Sequence, residues 1–276
     1  RESGATLTNH LGTTAMFVIN QPPGEQDKSH RLRASLSVPN PTQHEAVFRE
    51  RFGLKDVVSG FGMTEVGMPI WGRIGHSAPN AAGWVHEDHF EVCIADPETD
   101  VSVPAGQTGE ILVRPKVPFG FMACYLNVPE KTVEAWRNLW FHTGDIGMRD
   151  SDGLVTFVDR IKDCIRRRGE NLSATEIEAV VGQLPGIHEV AAYAVPADGP
   201  GEEDEVMLAL VSSERMTLDV ADIARQAGAL LPKVAKPRFL RLLDSLPKTA
   251  TGKIQRAVLR QQGSAGAYDA DSTGSR

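Results

Sequence analysis

The chain has 276 residues, of which 41% are hydrophobic and 24% are charged. This composition is typical of a globular protein with one large or two smaller domains, and it excludes a disordered or fibrous chain. The net charge is −7, from 29 basic and 36 acidic residues, which argues against a nucleic-acid-binding protein because that function needs a basic surface.

Residues 1–160 are predicted to form a mixed α/β region rich in strands. The predicted strands cover residues 4–11, 56–59, 90–94, 109–114 and 153–158. The predicted helices cover residues 13–19, 41–53 and 129–138. We expect Thr13 or Thr14 to cap the first helix, and a glycine-bearing loop to occupy residues 60–65. In the second helix, Ala46, Val47 and Phe52 should face the core, and Gly53 should end it.

Residues 161–262 are predicted to form a smaller α+β domain. The segment SATE at 173–176 is a capping box, and Ile177, Val180, Val181 and Leu184 follow it at the spacing of one helix face. The further predicted elements are strands 189–195, 205–212 and 238–243, a helix over 217–231 and a helix from Ile254. Residues 263–276 are rich in Gly, Ser, Ala and Asp, which predicts a flexible tail.

The sequence has no apolar run near the length of about 20 residues that a membrane span needs, so none is expected. Its cysteines, Cys93, Cys124 and Cys164, are scattered and lack metal-site spacing. They are typical of reduced thiols, which predicts a cytoplasmic protein.

Several short motifs fail the pattern that they first suggest. The Gly252-Lys253 pair lacks the upstream glycine of a P-loop, which leaves a solvated loop or a loop that brings one ammonium to a phosphate. Gly60-x-Gly62 lacks the third glycine of a dinucleotide fingerprint, so it indicates either an ordinary turn or, with Thr64 and Glu65, a phosphate and Mg²⁺ site.

The segment HEDH at 86–89 lacks the helical spacing of zinc-binding histidines and is interpreted as a solvated acidic loop. The only dense basic run is RRR at 166–168. It predicts either a solvated strand end or hairpin, or an anion site for a phosphorylated ligand.

Five segments nevertheless occur in an order and at separations typical of one protein family. They are GFGMTE at 60–65, WFHTGD at 140–145, VDRIKD at 158–163, GEN at 169–171 and PKTATGKI at 247–254. Together they closely resemble the adenylate-forming acyl-CoA synthetase superfamily, which includes acyl-CoA ligases, firefly luciferase and nonribosomal adenylation domains. Asp27 and the segments QPP at 21–23 and HRLR at 30–33 most resemble the crotonobetaine/carnitine-CoA ligase group.

The resemblance implies a fold and a reaction. Residues 1–160 would be the C-terminal part of the large AMP-binding domain with its β-rich subdomain, 161–262 the small mobile domain, and 263–276 the tail. A carboxylate attacks the α-phosphorus of ATP to give acyl-AMP and pyrophosphate, and the thiol of CoA then displaces AMP. The implied cofactors and substrates are ATP, Mg²⁺, CoA and a small carboxylic acid.

The resemblance also implies roles for catalytic residues. Lys253 would bridge the carboxylate and the α-phosphate while negative charge builds up. Thr64 would contact the α-phosphate, and Glu65 would hold Mg²⁺.

The remaining implied roles concern nucleotide, CoA and domain movement. Phe61 would stack on adenine, and Gly60 beside it would belong to the same cofactor-binding segment. Asp145 would accept both ribose hydroxyls, and Arg160 would pair with ribose or phosphate oxygens. Gly169 would line the pantetheine tunnel, and Lys162 would form the hinge of the small domain.

One feature departs from the family pattern. The family's Ser/Thr/Gly-rich phosphate loop, which lies upstream of position 1, does not occur in this sequence. We therefore expect a C-terminal half that is inactive by itself. Two other interpretations stay open: an adenylation domain that loads a carrier-protein thiol, and a non-catalytic relic that binds nucleotide. The sequence does not predict the acid or the oligomeric state.

Overall fold

The computed structural model describes residues 3–168, 170–197, 204–213, 218–249 and 252–272, without the side chains of Thr13 and Asn171. The chain divides into two compact units, Arg1–Val158 and Asp159–Arg276. Both units combine helices and strands, as the α/β and α+β prediction requires. In the part of the chain that is described, no helix is long and apolar enough to cross a membrane.

The first unit begins with a three-stranded parallel sheet. Its strands are β1 (Leu7–Leu11), β2 (Ala34–Val38) and β3 (Asp56–Val58), and the connecting helices are α1 (Gly12–Ile19) and α2 (Thr42–Glu50). Ala15 of α1, Phe48 of α2 and Val57 of β3 are buried together in a small core. The sheet therefore has the strand–helix–strand pattern of an α/β fold.

Two details of this region differ from the sequence prediction. The cap position of α1 is Leu11, because β1 runs directly into the helix, so the prediction of a Thr13 or Thr14 cap is wrong. The Thr14 hydroxyl instead donates a hydrogen bond of 2.8 Å to the Leu11 carbonyl.

Helix α2 also presents a different face to the core. It buries Glu45 and Phe48, whereas Ala46, Val47 and Phe52 are only half-buried. The Glu45 carboxylate is satisfied by Asn40 Nδ2 at 2.7 Å and by Arg49 Nε at 2.8 Å, which is why a charged side chain can lie inside.

The rest of the first unit is a large, mainly antiparallel sheet, with helix α3 (Pro129–Ala135) beside it. Its strands are β4 (Gly60–Met63), β5 (Gly67–Trp71), β6 (Gly83–Val85), β7 (Phe90–Ala95), β8 (Thr108–Pro115), β9 (Trp136–Arg137), β10 (Trp140–Arg149) and β11 (Leu154–Arg160). Their order is β4-β5-β6-β11-β10-β8-β7, and β9 pairs with β10. The loop predicted over 60–65 is therefore a strand followed by a turn, and the helix predicted over 129–138 ends at Ala135.

This sheet is strongly curled. Phe61 on β4 and Phe157 on β11 are three strands apart, which is roughly 14 Å in a flat sheet. Their ring centroids are only 6.3 Å apart, and β7, at the far end of the order, also contacts β5 and β6. The sheet thus approaches a closed barrel, and its interior holds Ile111, Phe141 and Val155.

The second unit is built on a four-stranded sheet. The strands of the unit are β12 (Ile165–Arg167), β13 (Glu170–Leu172), β14 (Ile187–Pro196), β15 (Asp204–Ser212), β16 (Phe239–Leu242) and β17 (Tyr268–Asp269). The helices of the unit are α4 (Ala174–Val181), α5 (Val220–Leu230) and α6 (Arg256–Gln261). The main sheet has the order β14-β15-β16-β17, and β12 and β13 form a separate hairpin. The apolar run in β15 is explained by burial on both faces, since Leu208 lies in one core and Met207 in the other.

The Ser173 half of the predicted capping box is present at the start of helix α4. The backbone N–H of Glu176 donates to Ser173 Oγ at 3.2 Å. Ser173 Oγ in turn donates to Asp159 Oδ2 at 3.1 Å, and the Thr175 N–H donates to the same oxygen at 3.2 Å. Buried Asp159 therefore fixes the start of α4 together with the predicted cap.

The C-terminal segment departs from the flexible tail expected over 263–276. Tyr268 and Asp269 pair with Leu240 and Phe239 of β16, which adds an edge strand to the sheet. Arg241 also donates hydrogen bonds to the carbonyls of Gly263 and Ala265, at 3.0 and 2.7 Å. Backbone pairing thus orders a segment whose side chains alone give no structural signal; residues 273–276 lie outside the described part.

Candidate functional site

Two glycines allow β4 and β5 to approach closely at the first motif. A Cβ atom on Gly60 would lie 2.7 Å from Met68 Cε, and one on Gly62 would overlap Met68 Sδ and the Gly67 carbonyl. Neither glycine has a positive φ. These glycines are therefore required by strand packing, not by the turn that the sequence suggested.

Phe61 lies between these glycines and faces the barrel interior. It is only 7% exposed, and its ring is stacked on Phe157 with 24° between the ring planes. In this structure the ring proposed to border adenine is part of an aromatic pair with Phe157, which is more exposed.

The turn after β4 holds Thr64 and Glu65. Thr64 is exposed and Glu65 is half-buried. The Tyr125 hydroxyl donates to Glu65 Oε1 at 3.0 Å, and the Met122 N–H donates to the Glu65 carbonyl at 2.8 Å. Burial, the hydrogen bond and the charge of Glu65 raise the pKa of Tyr125 to about 12, so the phenol is neutral at ordinary pH.

Asp145 lies in a bulge of β10. His142 is opposite Leu112 and Ile146 is opposite Glu110, so three residues of β10 face one residue of β8. The Thr143 hydroxyl donates to the Ile111 carbonyl at 2.7 Å, and the Asp145 N–H donates to Thr143 Oγ1 at 3.1 Å. Asp145 is 6% exposed, which makes it a buried carboxylate on irregular backbone.

Sequence reasoning missed the carboxylate beside this bulge. Glu110 Oε1 accepts a hydrogen bond of 2.9 Å from the Gly144 N–H, and Oε2 lies 2.9 Å from His142 Nδ1. Glu110 is 3% exposed. The available signal in the sequence was a charged residue directly before the apolar run Ile111 to Val113. Ionised side chains are rarely buried without partners, so a glutamate at this position indicates a polar partner elsewhere in the chain.

Arg160 and Lys162 lie at the start of the second unit. Arg160 is half-buried and follows Asp159, while Lys162 is exposed in a turn where the Asp163 and Cys164 N–H groups each donate to the Arg160 carbonyl at 2.8 Å. Lys162 therefore lies four residues beyond the last residue of the first unit.

Lys253 is exposed at the end of a closed loop. Lys248 and Ile254 form an isolated β-bridge, and the Thr249 N–H donates to the Lys253 carbonyl at 2.8 Å. The Lys253 N–H donates back to Thr249 Oγ1 at 3.1 Å. Gly252, with φ of +81°, completes the turn.

The helix that follows this loop is fixed by ion pairs that the sequence did not predict. Arg256 binds both oxygens of Glu178, at 2.7 and 2.8 Å, and Arg260 binds Asp163 Oδ1 at 3.1 Å. Burial raises the pKa of the Glu178 carboxyl, although the Arg256 charge acts in the opposite direction. The loop of Lys253 and the turn of Lys162 are thus joined through α6.

The basic run at 166–168 is not an open anion site at its centre. Arg167 is buried, with Nη2 2.6 Å from Glu205 Oε2, and its Nη1 donates to the Val234 and Lys236 carbonyls at 3.0 and 2.7 Å. It ends the first strand of a hairpin, as one alternative predicts, but it is buried and not solvated. Gly169, by contrast, lies outside the described residues.

The structure thus places the candidate residues in two groups. Gly60, Phe61, Thr64, Glu65 and Asp145 lie on the curled sheet of the first unit, whereas Arg160, Lys162 and Lys253 belong to the second. No group of three or more His, Cys, Asp or Glu side chains in the described ranges could hold a metal by itself.

Two family models match the chain. The model described as AMP-binding enzyme matches residues 1–126, and the model described as AMP-binding enzyme C-terminal domain matches residues 176–253. The matched regions occur in the order that the five motifs predict. Asp145, Arg160 and Lys162 lie between them.

Curated relatives match almost the whole chain. The sulfoacetate–CoA ligase of Cupriavidus necator is 30% identical over 257 residues, which cover 93% of this chain and 49% of the relative. The crotonobetaine/carnitine–CoA ligase of Shigella flexneri is 32% identical over 264 residues, with the same coverage of both chains. The chain therefore spans about half the length of the curated relatives that it matches.

Solved structures share the fold. MatB from Rhodopseudomonas palustris, with ATP bound, has a TM-score of 0.80 at 28% identity, covering 94% of this chain and 51% of that chain. The anthranilate CoA ligase AuaEII, in complex with anthranoyl-AMP, has a TM-score of 0.74 at 25% identity, covering 94% of this chain and 50% of that chain. These matches confirm the predicted fold class and the resemblance to the crotonobetaine/carnitine-CoA ligase group.

Proposed function

Because this chain belongs to the AMP-binding enzyme family, we propose that it forms the latter half of an ATP-dependent carboxylate–CoA ligase. The observation that carries the proposal is buried Asp145, held on a bulge between the two regions that match the family. A carboxylate accepts hydrogen bonds only, so it is suited to bind both hydroxyls of a ribose. The complete enzyme would be this chain preceded by an amino-terminal half that supplies the phosphate loop.

In the first half-reaction, a carboxylate oxygen of the substrate acid attacks the α-phosphorus of ATP and pyrophosphate leaves. Thr64 offers an exposed hydroxyl to the α-phosphate, and Lys253 offers an exposed ammonium on a closed loop. A positive group placed where charge builds up lowers the barrier, and this is the role that we propose for Lys253.

In this proposal, adenosine is bound by residues of three of the motifs. Phe61 and Gly60 border the adenine, Asp145 accepts from the ribose hydroxyls, and Arg160 pairs with ribose or phosphate oxygens. The burial of Phe61 and Asp145 supports these roles, since a buried site strengthens polar contacts with the nucleotide.

Glu65 fits Mg²⁺ through the chemistry of its donor atoms. Mg²⁺ prefers hard oxygen ligands and is commonly held by one or two carboxylates together with substrate phosphates. Glu65 is a half-buried carboxylate whose Oε1 is oriented by Tyr125, and exposed Thr64 precedes it. Bound there, the ion would neutralise phosphate charge.

In the second half-reaction, the sulfur of CoA attacks the acyl carbon of acyl-AMP, the thioester forms and AMP leaves. We propose that Gly169 leaves room for the pantetheine arm and that the turn at Lys162 is the hinge of the second unit. Movement about such a hinge is a gating step that can fail separately from the chemistry.

We propose a small carboxylic acid as the substrate. The curated relatives are named for sulfoacetate and for crotonobetaine and carnitine, which are small acids.

The three cysteines are free thiols, which supports a cytoplasmic enzyme.

The test is ATP-dependent thioester formation by the complete enzyme with a panel of small acids. Mass spectrometry should detect one acyl-CoA together with equimolar AMP, and trapping by hydroxylamine should detect acyl-AMP when CoA is left out. Transfer to a phosphopantetheinylated carrier protein but not to CoA would favour a carrier-loading adenylation domain. Nucleotide binding without acyl-AMP would indicate a non-catalytic protein and contradict the proposal.

A further inference from the structure

Two separate sets of hydrogen bonds hold the bulge of β10 against β8. The first set is made by Thr143, whose hydroxyl donates to the Ile111 carbonyl and accepts from the Asp145 N–H. The second is made by Glu110, which accepts from the Gly144 N–H. The residues on both sides of the Gly144–Asp145 peptide are therefore fixed to β8.

Glu110 is a costly residue to bury at this position. Its carboxylate is taken out of water, and burial of an ionised group is unfavourable unless both oxygens find donors. Oε1 has the Gly144 N–H at 2.9 Å, and Oε2 has the His142 ring at 2.9 Å. Both partners belong to β10: His142 precedes the bulge, and Gly144 lies in the middle of it.

The surrounding charges hold the His142 ring in place. Arg137 Nη2 lies 2.9 Å from His142 Nδ1, the same nitrogen that faces Glu110 Oε2, so this nitrogen bonds to one of the two at a time. Asp100 Oδ2 lies 3.7 Å from His142 Nε2. Asn138 Nδ2 donates to the same oxygen of Asp100. His142 thus links Glu110 to a polar network whose outer members come from the β7–β8 loop, from β9 and from the residue after β9.

We infer that Glu110 is a positioning residue for Asp145: it fixes the bulge so that the Asp145 carboxylate is presented to the ribose. This inference rests on the proposed function, because Asp145 has a ligand to bind only if the protein binds nucleotide. Glu110 itself does not touch the nucleotide. It acts through the Gly144 N–H on the residue that does.

A positioning role and a merely structural role predict different results. If Glu110 only stabilises the sheet, its loss lowers the melting temperature and weakens all ligands alike. If it positions Asp145, its loss removes the preference for a ribose with hydroxyls over one without them. The ratio of the two affinities therefore distinguishes the roles.

The experiment uses the 276-residue chain and measures binding of AMP and of 2′,3′-dideoxy-AMP by calorimetry. The wild-type chain should prefer AMP by about tenfold or more, because two hydrogen bonds to a charged acceptor are lost in the dideoxy compound. Asp145→Ala should reduce this ratio to about one, and Glu110→Ala should reduce it to below about three. Glu110→Gln keeps an acceptor for the Gly144 N–H and should restore most of the preference.

The matched control is Glu91→Ala. Glu91 is a carboxylate of the same sheet, but it is more exposed and pairs with Arg114 at 3.3 Å. This variant should keep the wild-type ratio. Amide hydrogen exchange in the free protein gives a second readout: Gly144 should exchange faster in Glu110→Ala and unchanged in Glu91→Ala.

Each outcome decides between the claims. If the wild-type chain binds neither nucleotide, the same comparison is made in the complete enzyme; if that enzyme also binds neither, the proposed function fails and the positioning role fails with it. If it discriminates and folded Glu110→Ala discriminates equally, the inference alone is wrong. If Glu110→Ala does not fold, Glu110→Asp decides, since its shorter side chain keeps the charge but cannot reach both Gly144 and His142; an unchanged ratio there contradicts the inference.

Discussion

The Tyr125 hydroxyl donates a hydrogen bond of 3.0 Å to Oε1 of Glu65, which lies 60 positions earlier in the chain. This bond joins the segment before α3 to the turn after β4. It also orients the Glu65 carboxylate, which is the proposed Mg²⁺ ligand.

Tyr125→Phe should remove this orientation while it keeps the ring. We expect a loss of about 0.5–1.5 kcal/mol in unfolding free energy, because the net contribution of one hydrogen bond is of that size. In the complete enzyme, the Mg²⁺ concentration needed for half-maximal acyl-AMP formation should rise. Urea titration and a Mg²⁺ titration check the two effects, and an unchanged Mg²⁺ requirement would argue against Glu65 as the ligand.

The stability of the first unit should depend on pH through the same tyrosine. The pKa of Tyr125 is raised from 10.0 to about 12 in the folded protein, so the neutral phenol is favoured there. For an acid with a raised pKa, the stabilisation is complete below the unfolded value and is lost as the pH rises from about 10 towards 12. Wild type and Tyr125→Phe should therefore converge in stability across this range. A constant difference up to pH 12 would show that the phenol does not titrate in this way.

Gly144 is needed for its backbone conformation, not for space. Its φ is +70°, and a Cβ atom there would meet nothing within 4 Å. Gly144→Ala should cost about 1–2 kcal/mol of stability and weaken AMP binding, whereas Gly144→Asn should cost less because asparagine tolerates positive φ. Thermal melting and AMP calorimetry on both variants make the comparison. Equal damage by alanine and asparagine would point to a steric requirement instead.

The 276-residue chain by itself should show no carboxylate-dependent exchange between ATP and pyrophosphate. The sequence contains no Ser/Thr/Gly-rich phosphate loop, and the backbone N–H groups of such loops supply much of the phosphate binding. Exchange should appear in the complete enzyme. Robust exchange by the chain alone would mean that its own residues bind the phosphates.

The sequence predicts features that depend on neighbouring residues in the chain. The start of α4 follows from SATE at 173–176 because a cap is a local hydrogen bond. Gly60 and Gly62 are misread as a turn because their partner, Met68, lies on the next strand. Glu110 is missed because its partners, His142 and Gly144, lie 32 and 34 positions further along the chain.

The same distinction applies to packing. The burial of Phe61 depends on how far the sheet curls, since only curling brings it to Phe157. The regular structure of β17 depends on its backbone pairing with β16, which the composition of residues 263–276 does not predict. The family motifs, by contrast, are contiguous segments, so the sequence alone carries the resemblance.

The measurement that tests the central claim most directly compares the two half-reactions in Lys253→Ala of the complete enzyme. Acyl-AMP formation should fall by about 10²–10³, the usual cost of removing one group that stabilises developing charge. Thioester formation from supplied acyl-AMP and CoA should remain within a few-fold of wild type, and Lys233→Ala, an exposed lysine of the same unit, should leave both unchanged. Equal loss of the two half-reactions in Lys253→Ala, or no loss in either, would contradict the account.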